Sequence, residues 1–315
     1  MTSTATPRVS VLLTTYNRER YIADSIESVL AQTFQDFEIV VSDNCSTDRT
    51  LSIAEEYARR DPRIRVFVNE RNVGQFPNRN LAAERARAPL LKYHDSDDLM
   101  YPHCLDVMVT MMALEPDAGF GLSSGWVWPG GPCPMLLTPR MAYQREYFGS
   151  GLFMCGPAGA IFRADVFRDL GGFDDRGAPS DYLFWVKACA RVNLILLPAD
   201  LFWYRTHPDQ EFLSPVAQAA YAEAFAEGWR ALDRPDCPLT PEERERAKRN
   251  RTYHYATRAL HEARRGLWRS AWRRVSRSGL GLSDWAKYLR RPGRDQMAGT
   301  PMDANGEFVR PRWIP

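Results

Sequence analysis

Four runs rich in β-branched and apolar residues, VSVLLTTY (9–16), FEIVVSDN (37–44), IRVFVNE (64–70) and PLLKYHD (89–95), punctuate the first hundred residues of the chain. The segments between them have helical period. NRERYIADSIESVLAQT sets Ile22, Ile26, Val29 and Leu30 on one face, as in an amphipathic helix, and Thr50 to Arg60 and Pro77 to Arg87 read as two more helices. Strands alternating with helices predict βαβ units in a mixed, mostly parallel sheet flanked by helices. Ligands of such sheets bind beyond the carboxyl ends of the strands. TTYN, SDNCSTD and HDSDD each sit at such an end, so the three are expected to converge on one crevice.

The pattern then loosens. A helix is expected from about Pro102 to Leu114, irregular strands and loops from Gly119 to Gly151, and a buried strand at AGAIFR (158–163). ADVFRDLGGF and SDYLFWVKACARV (180–192) read as helices, and NLILLPADLFWYRTH as a strand pair. From Ser214 to Arg291 the pattern is helical, and the remainder reads as an extended tail. This predicts a nucleotide-sugar-binding and catalytic unit over 1–212, a basic helical appendage over 213–291 and a tail over 292–315.

At 315 residues, 44% hydrophobic and 25% charged, the chain can bury a large core. Its six cysteines show no CxxC pairing, so reduced thiols are expected rather than disulfides or a zinc framework. The N-terminus does not read as a signal peptide. No stretch approaches the roughly 18 apolar residues of a membrane span. The expectation is a cytoplasmic protein, at most peripheral to a membrane. There is no GxGxxG after the first strand and no GxxxxGK[ST], which argues against a dinucleotide or P-loop enzyme.

Asp95, Asp97 and Asp98 fall within four positions of HDSDD. Carboxylates two apart in an extended segment, as in Asp95-Ser96-Asp97, can address one ligand. Asp98 could instead cap the helix entered through Pro102, and Asp48 the helix at Thr50. His94 and His103 lack zinc-site spacing.

The ordered motifs TTYNRERYIADSIESVLAQT, VSDNCSTDRT, NERNVGQFPNRNLA and HDSDD resemble the family-two glycosyltransferases, over about residues 8 to 208. That resemblance implies a GT-A fold and transfer of a sugar, with inversion, from a nucleoside diphosphate donor, UDP before dTDP. It implies that Asp97 is a direct ligand of Mn²⁺ or Mg²⁺, that Asp95 reaches the ribose or the metal beside Ser96, and that His207 of YRTHPDQ completes the metal shell. Such a cation would screen the diphosphate from the carboxylates and act as a Lewis acid. Asp43 would accept from the base's ring N–H, with Tyr16 packed on the base and Thr15 beside it; a strand-end aromatic in the core is the other reading of Tyr16. Arg79 would contact the nucleotide or hold the acidic loop by an ion pair. The glycines of CGPAGA (155–160) would let backbone approach the donor sugar; a tight strand entry is the other reading.

The family's general base is the Asp of a Glu-Asp pair that opens a helix after Gly-Gly-Phe-Asp. Here GGFDD (171–175) precedes SDYLFWV, so Asp181 takes that place and Ser180 replaces the Glu. Capping is the alternative role for Asp181, and Asp174 and Asp175 are fallback bases. The chain lacks the QxxRW motif of processive synthases, so addition of one sugar to a glycan, lipid-linked or small-molecule acceptor is expected. A silent sugar-nucleotide binder, a membrane-docking scaffold and a sugar nucleotidyltransferase stay open as alternatives.

Charge is uneven. Glu242 to Arg294 holds sixteen Lys+Arg against five Asp+Glu, a balance of +11 in a chain of net charge +2. Arg mixed with Trp and Leu at helical spacing fits either packing on the core or a peripheral contact with anionic membrane. No motif points to nucleic acid.

Overall fold

The computed structural model describes residues 6–123, 132–149, 151–208, 210 and 214–276. Its first half follows the alternating pattern: β1 (Val9–Thr15), α1 (Ile22–Leu30), β2 (Phe37–Asp43), α2 (Thr50–Arg60), β3 (Ile64–Val68), α3 (Gln75–Arg85) and β4 (Leu90–Asp95). Then come the short β5 (Leu99–Met100), α4 (Cys104–Leu114), β6 (Phe120–Leu122), β7 (Met135–Leu137), α5 (Pro139–Phe148), β8 (Ala160–Arg163), α6 (Ala164–Asp169) and α7 (Ser180–Ala188). β9 (Leu194–Leu196), β10 (Phe202–Trp203), α8 (Pro215–Arg230), α9 (Pro241–Arg264) and α10 (Trp268–Ser276) complete the described chain.

Eight strands form one sheet in the order β3-β2-β1-β4-β8-β6-β9-β7. The first four are parallel, β8 runs antiparallel to both β4 and β6, and β7 antiparallel to β9. β1 and β2 are buried at every position, because both faces of the sheet are covered. On one side Val11, Leu13, Ile39 and Val41 pack with Ile22, Ile26 and Val29 of α1; on the other Leu12, Val40 and Tyr93 pack with Phe76 and Ala82 of α3. Parallel register brings Thr15 level with Asp43 and Thr14 level with Asp95. The polar motifs therefore leave the sheet along one edge.

Four expectations need correction. The described residues of 119–151 hold two strands and a helix, α5, whose Thr138 side chain accepts from the Met141 N–H and whose first residue is Pro139. The strands of 193–207 do not pair with each other: β9 lies between β6 and β7, while β10 pairs with β5. Helix α3 begins two residues early, after Gly74, whose φ of 95° only glycine adopts readily. Asp98 caps no helix. α4 begins at Cys104 without a side-chain cap, and Asp98 Oδ1 instead accepts from the Arg205 N–H at 3.0 Å. The expected helix beyond Ser276 and the tail lie outside the described residues.

Helices α8 and α9 share the main core. Ala224, Ala231, Leu232, Leu239 and Ala247 belong to the same buried cluster as Tyr182, Phe184 and Trp185 of α7. Tyr147 Oη donates to the Gly228 carbonyl, and Arg140 pairs with Glu243 at 2.9 Å.

Candidate active site

A cavity of about 1170 Å³ opens along the carboxyl edge of the parallel strands. Thr15, Tyr16, Arg79, Asp95, Ser96, Asp97 and Asp181 all line it, so residues from four separate motifs meet there. Asp43 and His207 are not among the residues that line it.

Backbone-to-side-chain bonds hold the end of the cavity next to β1 and β2. Asn17, with φ of 51°, turns the chain after β1; its N–H donates to Ser46 Oγ, and its Oδ1 accepts from the Thr47 N–H. Asp48 does bind the start of α2, accepting from the Thr50 N–H at 2.9 Å. Asp43 is fully buried and accepts from Ser46 N–H and Oγ at 2.9 and 2.6 Å, so here its carboxylate shapes the loop beneath the cavity. Tyr16 is 41% exposed, a cavity-wall ring and not a core one. Thr15 Oγ1 is buried without a hydrogen-bond partner among the described residues.

An amide floor escaped the sequence reading. Asn44 Nδ2 donates to Asn72 Oδ1, Asn69 Nδ2 to Asn78 Oδ1, and Asn78 Nδ2 to the Ser42 carbonyl. Asn44, Asn72, Gln75, Phe76 and Asn78 also line the cavity. NERNVGQFPNRN held the signal, in four asparagines over twelve positions, but nothing local told which of them turn inward.

In the acidic centre, Arg79 Nη2 donates to Asp95 Oδ1 at 2.6 Å. Burial alone would raise the Asp95 pKa, but the Arg79 guanidinium holds it below the usual carboxylate range. Asp98 goes the other way: burial, together with the charges of Asp95 and Asp97, pushes it up to about 8. His94 is fully buried with neither ring nitrogen bonded among the described residues; burial and neighbouring Lys92 push its pKa down to about 3, so it stays neutral. His103 stacks beside Tyr101.

Asp97 and His207 do meet across more than a hundred residues, with Nε2 3.0 Å from Oδ2. The ring stacks on Tyr21, its Nδ1 buried and unbonded among the described residues. A carboxylate oxygen and a ring nitrogen this close fit one divalent cation, with phosphate oxygens and water completing the shell. No group of three His, Cys, Asp or Glu side chains among the described residues forms a protein-only cage.

Across the cavity, Asp181 sits in the first turn of α7. Its Oδ1 accepts from Tyr221 Oη of α8 at 3.3 Å and from the Tyr182 N–H at 2.7 Å. Burial pushes its pKa up to about 7. Ser180, in the place of the expected Glu, donates to the Gly177 carbonyl and accepts from the Arg176 N–H, clipping the turn that aims Asp181. Asp174 and Asp175 do not line the cavity. Gly156, Pro157 and Ala158 do, but Gly159 answers to the core: a Cβ there would lie 2.3 Å from the Ser123 carbonyl oxygen.

A parallel sheet with antiparallel additions and a polar crevice along its carboxyl edge is the fold of the GT-A glycosyltransferases. Residues 10–171 match the model of glycosyl transferase family 2, and the chain belongs to that family. It is 38% identical over 220 residues to an uncharacterized glycosyltransferase of Methanocaldococcus jannaschii, covering 67% of this chain and 74% of the relative. It is 28% identical over 223 residues to TarS of Staphylococcus aureus, a poly(ribitol-phosphate) beta-N-acetylglucosaminyltransferase, covering 66% of this chain but only 37% of TarS. The structure of TarS 1–349 with UDP-GlcNAc superposes with a TM-score of 0.60 at 22% identity, over 84% of this chain and 79% of that one. The mannosyltransferase PcManGT of Pyrobaculum calidifontis, with GDP-Man and Mn²⁺, superposes with a TM-score of 0.59 at 18% identity, over 90% and 79%.

Proposed function

We propose that the protein is a metal-dependent, inverting glycosyltransferase that moves one sugar from a nucleoside diphosphate sugar to an acceptor hydroxyl. One observation carries the reading. Asp181, its carboxyl pushed up to about 7, lines the same cavity as the nucleotide-end residues Thr15 and Tyr16 and the acidic Asp95 and Asp97. A base of that pKa holds a proton loosely enough to exchange it near neutrality.

The chemistry assigned to each residue follows. Tyr16 and Thr15 receive the nucleoside, with Asp43 and the asparagine floor fixing the loops behind them. Arg79 keeps Asp95 ionised beside Ser96 and the ribose. Asp97 and His207 would hold the divalent cation, Mn²⁺ or Mg²⁺, which when bound supplies Lewis-acid stabilisation of the leaving diphosphate. The acceptor oxygen attacks the anomeric carbon as Asp181 takes its proton, and the electron pair of the broken C–O bond leaves with the diphosphate. Attack from the side opposite the leaving group inverts the centre. UDP is the first nucleotide to try, since UDP-GlcNAc occupies the TarS structure.

A thermal-shift panel of UDP, dTDP and GDP, each with and without Mn²⁺, tests the donor site. At least one pair is expected to raise the melting temperature more than nucleotide or metal alone. If none does, the assignment falls. Release of nucleoside diphosphate then separates an enzyme from a silent binder of the same fold. The acceptor side includes a contact with anionic membrane in this reading, supported by Trp268 and Trp272 turned outward on α10 beside exposed Arg269 and Arg273.

A further inference from the structure

Arg18 has no role in the assignments above, yet it lines the cavity between their two halves. The left-handed turn at Asn17 sends the chain back across the crevice, and the Arg18 N–H is fixed to Thr50 Oγ1 at 2.6 Å. Its guanidinium then makes two kinds of contact. Nη1 donates to the carbonyls of Tyr16 and Asn17, both at 3.3 Å, and Nε donates to Asp97 Oδ2 at 3.1 Å. A single side chain thus spans from the base-side loop to the acidic centre, the span a diphosphate must cover.

The oxygen it reaches is also the one His207 reaches. Asp97 Oδ2 lies 3.1 Å from Arg18 Nε and 3.0 Å from His207 Nε2. An ionised carboxylate only accepts hydrogen bonds, so both neighbours donate and both lone pairs of that oxygen are taken. A cation cannot bind Oδ2 while Arg18 stays there. Once displaced, a guanidinium finds its best alternative partner in phosphate oxygens, which it can bind bidentately.

Resting on the donor-site reading above, we propose that Arg18 exchanges partners during donor binding. With the crevice empty it neutralises Asp97 in the place of the metal, and when the metal-nucleotide enters it passes to the diphosphate. The exchange makes metal and nucleotide help each other: each alone must break the Arg18–Asp97 pair or do without one partner, while together they satisfy every charge.

The test is Arg18→Gln, with Mn²⁺ binding followed by the electron paramagnetic resonance of the free ion and nucleotide binding by calorimetry. The nucleoside diphosphate is whichever of UDP, dTDP and GDP stabilises the unaltered protein. Without nucleotide, the variant is expected to bind Mn²⁺ several-fold more tightly, because the competing cation is gone. The nucleoside diphosphate should bind about tenfold more weakly and the bare nucleoside as before, and the coupling between metal and nucleotide should shrink. Arg18→Lys keeps the charge without the planar fork and should fall between; it carries the same comparison if the Gln variant does not fold. Unchanged or weaker Mn²⁺ binding by the variant overturns the exchange, and equal losses for nucleoside and diphosphate overturn the phosphate role. If the unaltered protein binds none of the three nucleotides, the donor-site reading itself has failed. If it binds one and the variant matches it, only the exchange has failed.

Discussion

Asp181 opens α7 at the cavity wall, held between the Tyr221 hydroxyl and the Tyr182 N–H. Its raised pKa gives a signed prediction. A general base works in its deprotonated form, so kcat/KM should climb as pH rises through about 7 and level off above it. Asp181→Asn should lower transfer at least about a hundredfold, leave nucleotide affinity unchanged and remove that inflection. Transfer that survives in the variant places the base elsewhere. The neighbouring acids show why residue type alone does not fix role: Asp95, Asp97 and Asp98 are neighbours in sequence but meet Arg79, Arg18 with His207, and the Arg205 N–H respectively. Burial and the neighbouring charges, which only the fold sets, hold the Asp98 carboxyl at about 8, while Arg79 keeps Asp95 below the usual carboxylate range.

Helix α8 reaches the site directly through Tyr221 and also packs closely on α7. A Cβ on Gly228 would lie 2.1 Å from Tyr182 Oη and 2.8 Å from Cζ, so the absent side chain is what lets the two helices close. Tyr182 cannot simply swing away, because Phe225 lies edge-on to its ring at 4.9 Å and Phe153 at 6.1 Å. Alanine at this position gains about 1 kcal/mol in helix propensity, whereas overpacking a tight contact costs about 1–3 kcal/mol. At 2.1 Å the clash wins. Gly228→Ala should therefore melt several degrees lower and lose kcat through a displaced Asp181, with nucleotide affinity kept. An unchanged melting temperature in calorimetry would show that α8 yields freely. The chain around Gly228 reads as an ordinary helix with one weak residue; its partner forty-six positions earlier is what makes the glycine necessary.

At the scale of the whole molecule, charge is segregated: the acidic crevice lies along the sheet, and the basic helices follow it in the chain. On α10, Ala271 is buried and Arg274 pairs with Glu262 of α9. At about 100° per residue, Trp268 and Trp272, 68% and 73% exposed, lie along one flank of α10, and Arg269 and Arg273 point away from Ala271. Aromatic rings flanked by arginine suit the headgroup region of an anionic bilayer, with each basic residue near the surface worth about 1 kcal/mol. None of the described helices is long and apolar enough to cross a membrane. The protein should float with vesicles containing anionic lipid at low salt, lose them at high salt as screening shortens, and bind them less after Trp268→Ala with Trp272→Ala. Failure to float at low salt removes the membrane contact.

Local chemistry in the sequence determined the alternating strands and helices, the edge on which the motifs emerge, and the candidate acids. The first two follow from period and spacing within a dozen residues, and the acids from motifs that resemble those of the family. Tertiary structure decided what depends on closing long loops. β8 is inserted antiparallel beside β4, β10 pairs with β5 rather than β9, and four asparagines form one floor. Arg18, His207 and Asp97 meet at a single oxygen. Such pairings depend on which distant surfaces are buried together, and burial is a property of the folded chain, not of any segment of it.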